Sequence, residues 1–311
     1  MVTTLTLNAA VDRTYLVPHF SIGAFHRPEK TRAVPGGKGI NVARIVRAMG
    51  HEVIASGFAG GMAAAFIKRE LERAGILADF ARIGEESRFC ISVIDPTNSS
   101  STQVDEAGPL VTPSEVRGLK AKLPELMARS RLLVISGSVP RGVPYTIYAE
   151  LIEIAREHGV HTILDTHDEP LAAGIKARPM VIKPNLVELQ TLVGDELSVP
   201  DGVYAAARDL VSEGIDVVFV SLGLRGAVVA TRRQGNWIAK PPKVNLVSAV
   251  GSGDALVGGF ATALLDGLDA PRAVARAVGA GAANAATFGA CACSREEILR
   301  CSAAVNVEAL S

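Results

Sequence analysis

At 311 residues the chain suits one large α/β domain with room for a smaller appendage. Its 32 Lys plus Arg balance 32 Asp plus Glu, so net charge gives no electrostatic case for nucleic acid or an anionic membrane as partner. No apolar run reaches the roughly 18 uninterrupted residues of a membrane-spanning helix.

The chain opens on Met1-Val2-Thr3-Thr4-Leu5-Thr6-Leu7, which has neither a basic n-region nor a long apolar core. It reads as a strand rather than a signal peptide. Short strand-like runs then alternate with helical periodicity. The pattern predicts strand 3–7, helix 39–49, strand 53–57, helix 63–74, strand 131–136 and helix 144–158. Strands 161–165 and 180–183, helix 203–213, strands 217–221 and 227–231, and helices 254–265 and 271–287 follow. Such alternation argues a mostly parallel sheet covered on both faces, with ligands at the carboxyl ends of its strands.

Two stretches, 11–34 and 88–108, break the alternation. Phe89-Cys90-Ile91-Ser92-Val93-Ile94 alternates apolar with small polar residues and lacks helical spacing. Antiparallel strands in a small separate sheet are expected there, serving as a lid or a dimer surface, with residues 98–102 as an exposed hairpin tip. Two surface hairpins with no role are the plain alternative. The expected division is a core of 1–10, 35–87 and 109–311, and a lid of 11–34 and 88–108. No fixed-period repeat is present. Cys90, Cys291, Cys293 and Cys301 form no CxxC and lie at no metal-ligand spacing from a histidine. They read as reduced thiols of a cytoplasmic protein.

Four motifs carry chemistry. Val250-Gly251-Ser252-Gly253-Asp254 precedes an apolar helical run, so bare N–H groups meet a helix N-terminus, a setting that attracts an anion. A carboxylate at Asp254 would repel that anion unless it takes a proton, as a general base does. A plain turn with an Asp cap is the alternative. Pro35-Gly36-Gly37-Lys38-Gly39-Ile40-Asn41 opens an earlier helix; its glycines let a ligand approach the backbone, and Asn41 can bond a hydroxyl. Neither cluster has P-loop spacing, and neither is a GxGxxG; Gly279-x-Gly281 fails too, with Asn284 at the third glycine position. Lys183-Pro184-Asn185-Leu186-Val187-Glu188 sets an amide and a carboxylate on one helical face, either for Mg²⁺ held through water or as a capped helix start. Ser221-Leu222-Gly223-Leu224-Arg225-Gly226 is a strand ending in a tight turn that could line a nucleotide.

In this order the motifs resemble the ribokinase superfamily, in its PfkB carbohydrate kinase branch, and most closely the 1-phosphofructokinase and tagatose-6-phosphate kinase group. Ser136-Gly137-Ser138-Val139-Pro140-Arg141-Gly142 supports the same placement, and the resemblance spans essentially the whole chain. It implies a three-layer α/β/α domain with a β-lid that often forms a homodimer. It implies an ATP- and Mg²⁺-dependent kinase of a phosphorylated ketohexose. Asp254 matches the catalytic base, and Gly251, Ser252 and Gly253 the anion hole. Asp12, Gly36, Gly37, Lys38, Asn41 and Ser138 match sugar-binding positions. Lys183, Asn185, Ser221, Gly223 and Gly226 fall in the ATP region, with Asn185 and Glu188 near Mg²⁺ through water. Arg88 matches an arginine that contacts the substrate's own phosphate. Arg27, expected on a lid strand, is a second candidate or an unpaired surface arginine. Gln103 falls roughly where one 6-phosphofructokinase branch carries a further arginine, which weakens fructose 6-phosphate as acceptor. A kinase of an unphosphorylated sugar or nucleoside, and a catalytically silent binding regulator, are the alternatives.

Overall fold

The computed structural model describes residues 1–310. β1 (Val2–Thr6), β2 (Ala10–Leu16) and β3 (Lys30–Gly36) precede α1 (Lys38–Ala48), β4 (Val53–Gly60) and α2 (Gly61–Arg73). The short β5 (Leu77–Ala78) and β6 (Ala81–Ile83) lead to β7 (Arg88–Asp95), β8 (Ser100–Asp105) and α3 (Pro113–Ala128). Next come β9 (Leu132–Ser136), α4 (Ile147–Glu157), β10 (His161–Asp165), α5 (Asp168–Lys176) and β11 (Val181–Ile182). α6 (Leu186–Val193), α7 (Asp201–Ser212), β12 (Val217–Ser221), β13 (Ala227–Thr231) and β14 (Asn236–Lys240) follow. The chain closes on α8 (Ser252–Leu265), α9 (Ala270–Ala285), α10 (Arg295–Ala303) and β15 (Asn306–Leu310).

The large sheet runs β15-β14-β13-β12-β11-β10-β9-β1-β4-β5, with β6 also on β4. From β12 to β5 every pairing is parallel; β13, β14 and β15 add an antiparallel edge. β1, β4 and β9 are buried along their whole length. Alternate residues feed two cores, as the period of two in a strand requires. Leu5, Leu133 and Ile135 join the helices α3, α4 and α7 on one side. Val2, Val53 and Val134 join α1, α8 and α9 on the other. Among the described residues no helix is long and apolar enough to cross a membrane.

The second sheet is separate and has four strands in the order β3-β2-β7-β8. Its two hairpins, β2–β3 and β7–β8, are antiparallel as expected. The pair that joins them, β2–β7, is parallel, from Ala10↔Arg88 to Leu16↔Ile94, which corrects the all-antiparallel expectation. The reason lies in the large sheet. β2 follows β1 and β7 follows the parallel β4–β6 region, so both strands leave in the same direction. Asp95, buried at the far end of β7, accepts the His19, Phe20 and Thr97 backbone N–H groups and the Asn98 amide. That carboxylate pins both hairpin loops of the lid.

Candidate active site

A cavity of about 870 Å³ lies between the small sheet and the carboxyl ends of β1, β9, β10, β11 and β12. The small sheet presents every second residue to it. Arg88, Cys90, Ser92 and Ile94 of β7 face in, as do Asp12 of β2 and Gln103 and Asp105 of β8. The N-termini of α1 and α8 close the floor.

At α8, Gly251 adopts φ 80°, and a Cβ there would lie 2.9 Å from the Ala290 Cβ. Only glycine fits this left-handed turn without strain. The Ser252 N–H donates to the Ala249 carbonyl at 3.1 Å. This corrects the expectation that all three amides of 251–253 are bare. The N–H groups of Gly251, Gly253 and Asp254 have no acceptor among the described residues. A Cβ on Gly253 would have only the Lys183 Nζ nearby, at 3.8 Å, so this face of the turn is open toward an ammonium.

Asp254 follows immediately and is buried. The Asn41 Nδ2 donates to its Oδ2 at 2.8 Å. Burial pushes its pKa up to about 6, against the pull of Lys38. That value suits a group that must be ionised yet basic near neutral pH.

Opposite stand Lys38 and Lys183. Both reach one carboxylate, Asp165, which is fully buried at the end of β10: Lys183 Nζ to Oδ1 at 3.0 Å and Lys38 Nζ to Oδ2 at 3.5 Å. Burial alone would raise the Asp165 pKa, but the Lys183 and Lys38 charges outweigh it and hold it below the ordinary carboxylate range. Asp165 in turn keeps Lys38 protonated well above the usual lysine range, even though burial opposes it. Two cations therefore stand on the cavity wall across from the Gly251–Asp254 turn.

The end of the cavity under the small sheet is built from β2, β7 and the loop after β1. Burial pushes Asp12 up to about 6, opposed by Arg44 and Arg88. Gly36 does not line the cavity; its role is to leave room for Asp12, because a Cβ there would fall 2.0 Å from Asp12 Oδ1. Gly37 takes φ 103° at the N-cap of α1. Asn8 Nδ2 donates to Ser138 Oγ at 3.1 Å, while its Oδ1 is buried without a partner. Arg88 is aimed by Nε to the Asn8 carbonyl (3.3 Å) and a terminal nitrogen to the Glu106 carbonyl (3.0 Å). Arg27 is corrected: it lies on the exposed loop between β2 and β3, beside Phe25, and does not line this cavity.

At the other end Ser221, Gly223 and Gly226 line the cavity. Gly226 is there for β14, since a Cβ would fall 1.8 Å from the Ala239 carbonyl oxygen; Gly223 has open space where a side chain would be. Asn185 and Glu188 form a reciprocal capping box on α6, each bond 2.8 Å. The capped helix start is thus what the structure displays, with both residues still on the cavity wall. Among the described residues no group of three or more His, Cys, Asp or Glu side chains could hold a metal directly. Mg²⁺ carried on phosphates keeps most of its water and needs only one or two carboxylates. Glu188 on the wall, with Asn185 beside it, fits that demand through water.

Sequence reading missed Asp165, Arg44 and Asn284. Asp165 carried a weak signal, an acidic residue ending a predicted strand. Arg44 is partly buried, bonded to the Pro35 and Ala290 carbonyls, and loss of solvent lowers its pKa from the usual arginine value.

Bare amides, a buried carboxylate beside them and cations opposite make a phosphotransferase acting on an alcohol. The chain matches the pfkB family of carbohydrate kinases over residues 6–297, and it belongs to that family. It is 35% identical to a 1-phosphofructokinase of Rhodobacter capsulatus over 86% of this chain and 85% of that one. It is 34% identical to a tagatose-6-phosphate kinase of Staphylococcus epidermidis over 85% of this chain and 86% of that one. A crystal structure of phosphofructokinase-2 of Escherichia coli, in complex with substrates and products, superposes with TM-score 0.91 at 29% identity, covering 97% of this chain and 98% of that one. The family and the ribokinase-like fold expected from the motifs are borne out.

Proposed function

We propose that the chain transfers the γ-phosphoryl group of ATP to the free primary hydroxyl of a phosphorylated ketohexose, giving a bisphosphate and ADP. The observation that carries this reading is the position of Arg88 on the inner face of the lid, over the same cavity as Asp254. Fructose 1-phosphate, tagatose 6-phosphate and fructose 6-phosphate are the acceptors considered, in keeping with the relatives. Asp12 and Asn41 hold sugar hydroxyls, with Ser138 and the backbone at Gly37 beside them. Asp254 takes the hydroxyl proton as that oxygen attacks the γ-phosphorus, and the bond from the γ-phosphorus to the β-bridging oxygen breaks. The Gly251, Gly253 and Asp254 N–H groups stabilise charge on the transferring group, and Lys183 and Lys38 face it. Ser221 and Gly223 border the nucleotide. Mg²⁺, held through water by Glu188 and Asn185, would neutralise charge on the phosphates.

A coupled ADP-release assay with Mg-ATP against the three ketohexose phosphates, free fructose and ribose tests the reading. Turnover confined to a phosphorylated ketohexose is expected; turnover on free sugar alone would overturn the acceptor class. Arg88→Ala should raise KM for the sugar phosphate by about 10–100-fold, the weight of a hydrogen bond to a charged group of about 1.5–3 kcal/mol. An unchanged KM would mean that Arg88 holds no phosphate.

The pH profile is a further check. Asp254 and Asp12 are both pushed up to about 6 by burial, and both roles need the ionised form. The sign is therefore loss on the acid side. kcat/KM should fall as pH drops through about 6 and level off between about 7 and 8. A profile flat down to pH 5 would remove both assignments.

The division into a core and a lid of 11–34 and 88–108 is part of the same proposal, as is a homodimer through the lid. Val104 is 60% exposed on the outward face of β8, and Ile22 and Phe25 stand exposed on the loop after β2. The cytoplasm, where the four thiols stay reduced, is the proposed setting.

A further inference from the structure

Asn284, at the end of α9, is fully buried and lies outside the roles assigned so far. Its Nδ2 donates to the Val250 carbonyl at 2.9 Å and to Ser252 Oγ at 3.0 Å. Its Oδ1 accepts the Cys291 N–H at 2.6 Å. A side-chain amide has two donor hydrogens, and both are used; its oxygen is used as well. The two acceptors flank Gly251. The third partner lies on segment 287–291, which packs against Gly251 through Ala290 and through a bond from Cys291 Sγ to the Gly251 carbonyl at 3.5 Å.

That segment has two further ties. An Arg44 terminal nitrogen donates to the Ala290 carbonyl at 3.3 Å, and one of Arg32, on the lid strand β3, to the Phe288 carbonyl at 3.0 Å. Residues 287–291 therefore meet α1, the lid and the anion-hole turn. Asn284 alone makes the link to that turn from both sides of Gly251.

A buried amide costs free energy unless every polar atom is paired, and an apolar side chain would fill the same space without that cost. Here the pairing goes entirely to the turn at 250–252 and to the segment beside it. We propose that Asn284 is a positioning residue for phosphoryl transfer. It fixes the Val250 peptide and the Ser252 side chain, and so sets the direction of the Gly251, Gly253 and Asp254 N–H groups. The inference rests on the proposed phosphoryl-transfer role of that turn.

The test compares Asn284→Ala, Asn284→Asp and Asp254→Ala. Four quantities are read: kcat, KM for both substrates, affinity for ADP alone, and affinity for ADP with tetrafluoroaluminate and the sugar phosphate. Misaiming one preorganised donor costs about 10²–10³-fold in rate. Asn284→Ala should lower kcat by about 10²-fold and weaken the tetrafluoroaluminate complex by a similar factor. KM and ADP affinity should stay within about threefold, because ground-state binding does not use the aimed donors. Asn284→Asp keeps the shape and the Cys291 bond but cannot donate to Val250, so it should also lower kcat, by at least as much.

A merely structural role would move all four quantities together, or only thermal stability, and either pattern overturns the proposal. So does a kcat within about threefold of the parent in either variant, or failure of both variants to fold. Asp254→Ala separates this inference from the reading beneath it. An active Asp254→Ala overturns that reading; an inactive Asp254→Ala with a fully active Asn284→Ala overturns only the positioning role.

Discussion

Replacing Asp254 by Asn should lower kcat by about 10²–10⁴-fold, the usual weight of a general base. KM for either substrate should change little, since the amide keeps the shape and still accepts from Asn41 Nδ2 in place of the carboxylate oxygen. The same substitution should make the protein more stable at pH 7. Burial pushes this carboxyl up to about 6 from its ordinary 3.8. A group with a raised folded pKa stabilises the fold while protonated, below the unfolded value. That contribution is lost as pH rises through the folded value. At pH 7 the parent has lost it, whereas Asn, never ionised, carries no such cost. A gain on the order of 1–3 kcal/mol is expected, given 1.36 kcal/mol per pKa unit. Steady-state kinetics and thermal unfolding at pH 7 check the two halves. Near-normal turnover would end the base assignment. A lower melting temperature would mean that the carboxylate is paired better than its burial implies.

Asp165→Ala is the second large effect, this time on stability. Lys183 is 4% exposed and has Asp165 as its ion-pair partner, so removing the carboxylate strands a buried ammonium. Breaking such a pair from one side costs about 3–5 kcal/mol. Urea unfolding should show a lower midpoint. Adding Lys183→Met should recover part of the loss, because the stranded charge is then gone. If the double variant is no better than Asp165→Ala, the ammonium was never the cost. The depressed Asp165 pKa also fixes the sign with pH: its stabilisation is present above the unfolded carboxylate value and lost as pH falls through the folded one.

What could be read from the chain was local. Strands 161–165, 217–221 and 227–231 were fixed by apolar runs bounded by polar or glycine residues, and the structure has β10, β12 and β13 over the same residues. Both glycine clusters were visible because each stands just before a helical run: bare amides at a helix N-terminus suggested an anion at 250–254, and missing side chains suggested room for a ligand at 35–41. α3 was missed although Thr112 and Glu115 form a capping box around Pro113; that signal was present and unused. β14 closes a local hairpin on β13, 8 to 12 residues apart at its registered pairs, and that mark went unread. β15 is a short edge strand that pairs with β14, 66 or more residues away at every registered pair. Pairing at that distance leaves no local mark. The β2–β7 pairing was hidden for the same reason. In the site, residues that touch ligand in the family carry motifs, but residues that hold those residues do not. Asn284 was noticed only as a residue that spoils a glycine fingerprint. Arg27, conversely, suited a lid strand by composition, yet the strand starts three residues later, at Lys30.

The tie from Asn284 to Cys291 has a bearing on how this enzyme is born. Ribosomes release about 5–20 residues per second from the N-terminus, and a domain generally folds as a unit. β1, β4, α1 and the hairpins of the small sheet emerge early, with Asp12, Lys38 and Arg88, yet α1 shares its core with α8 and α9. The anion-hole turn gains its last anchor only when the chain has passed residue 291. Residues 12, 38 and 88 therefore wait for the C-terminal helices before their cavity is complete. Chains that end before residue 291 would lack the tie from Cys291 that holds Asn284 against the 250–252 turn.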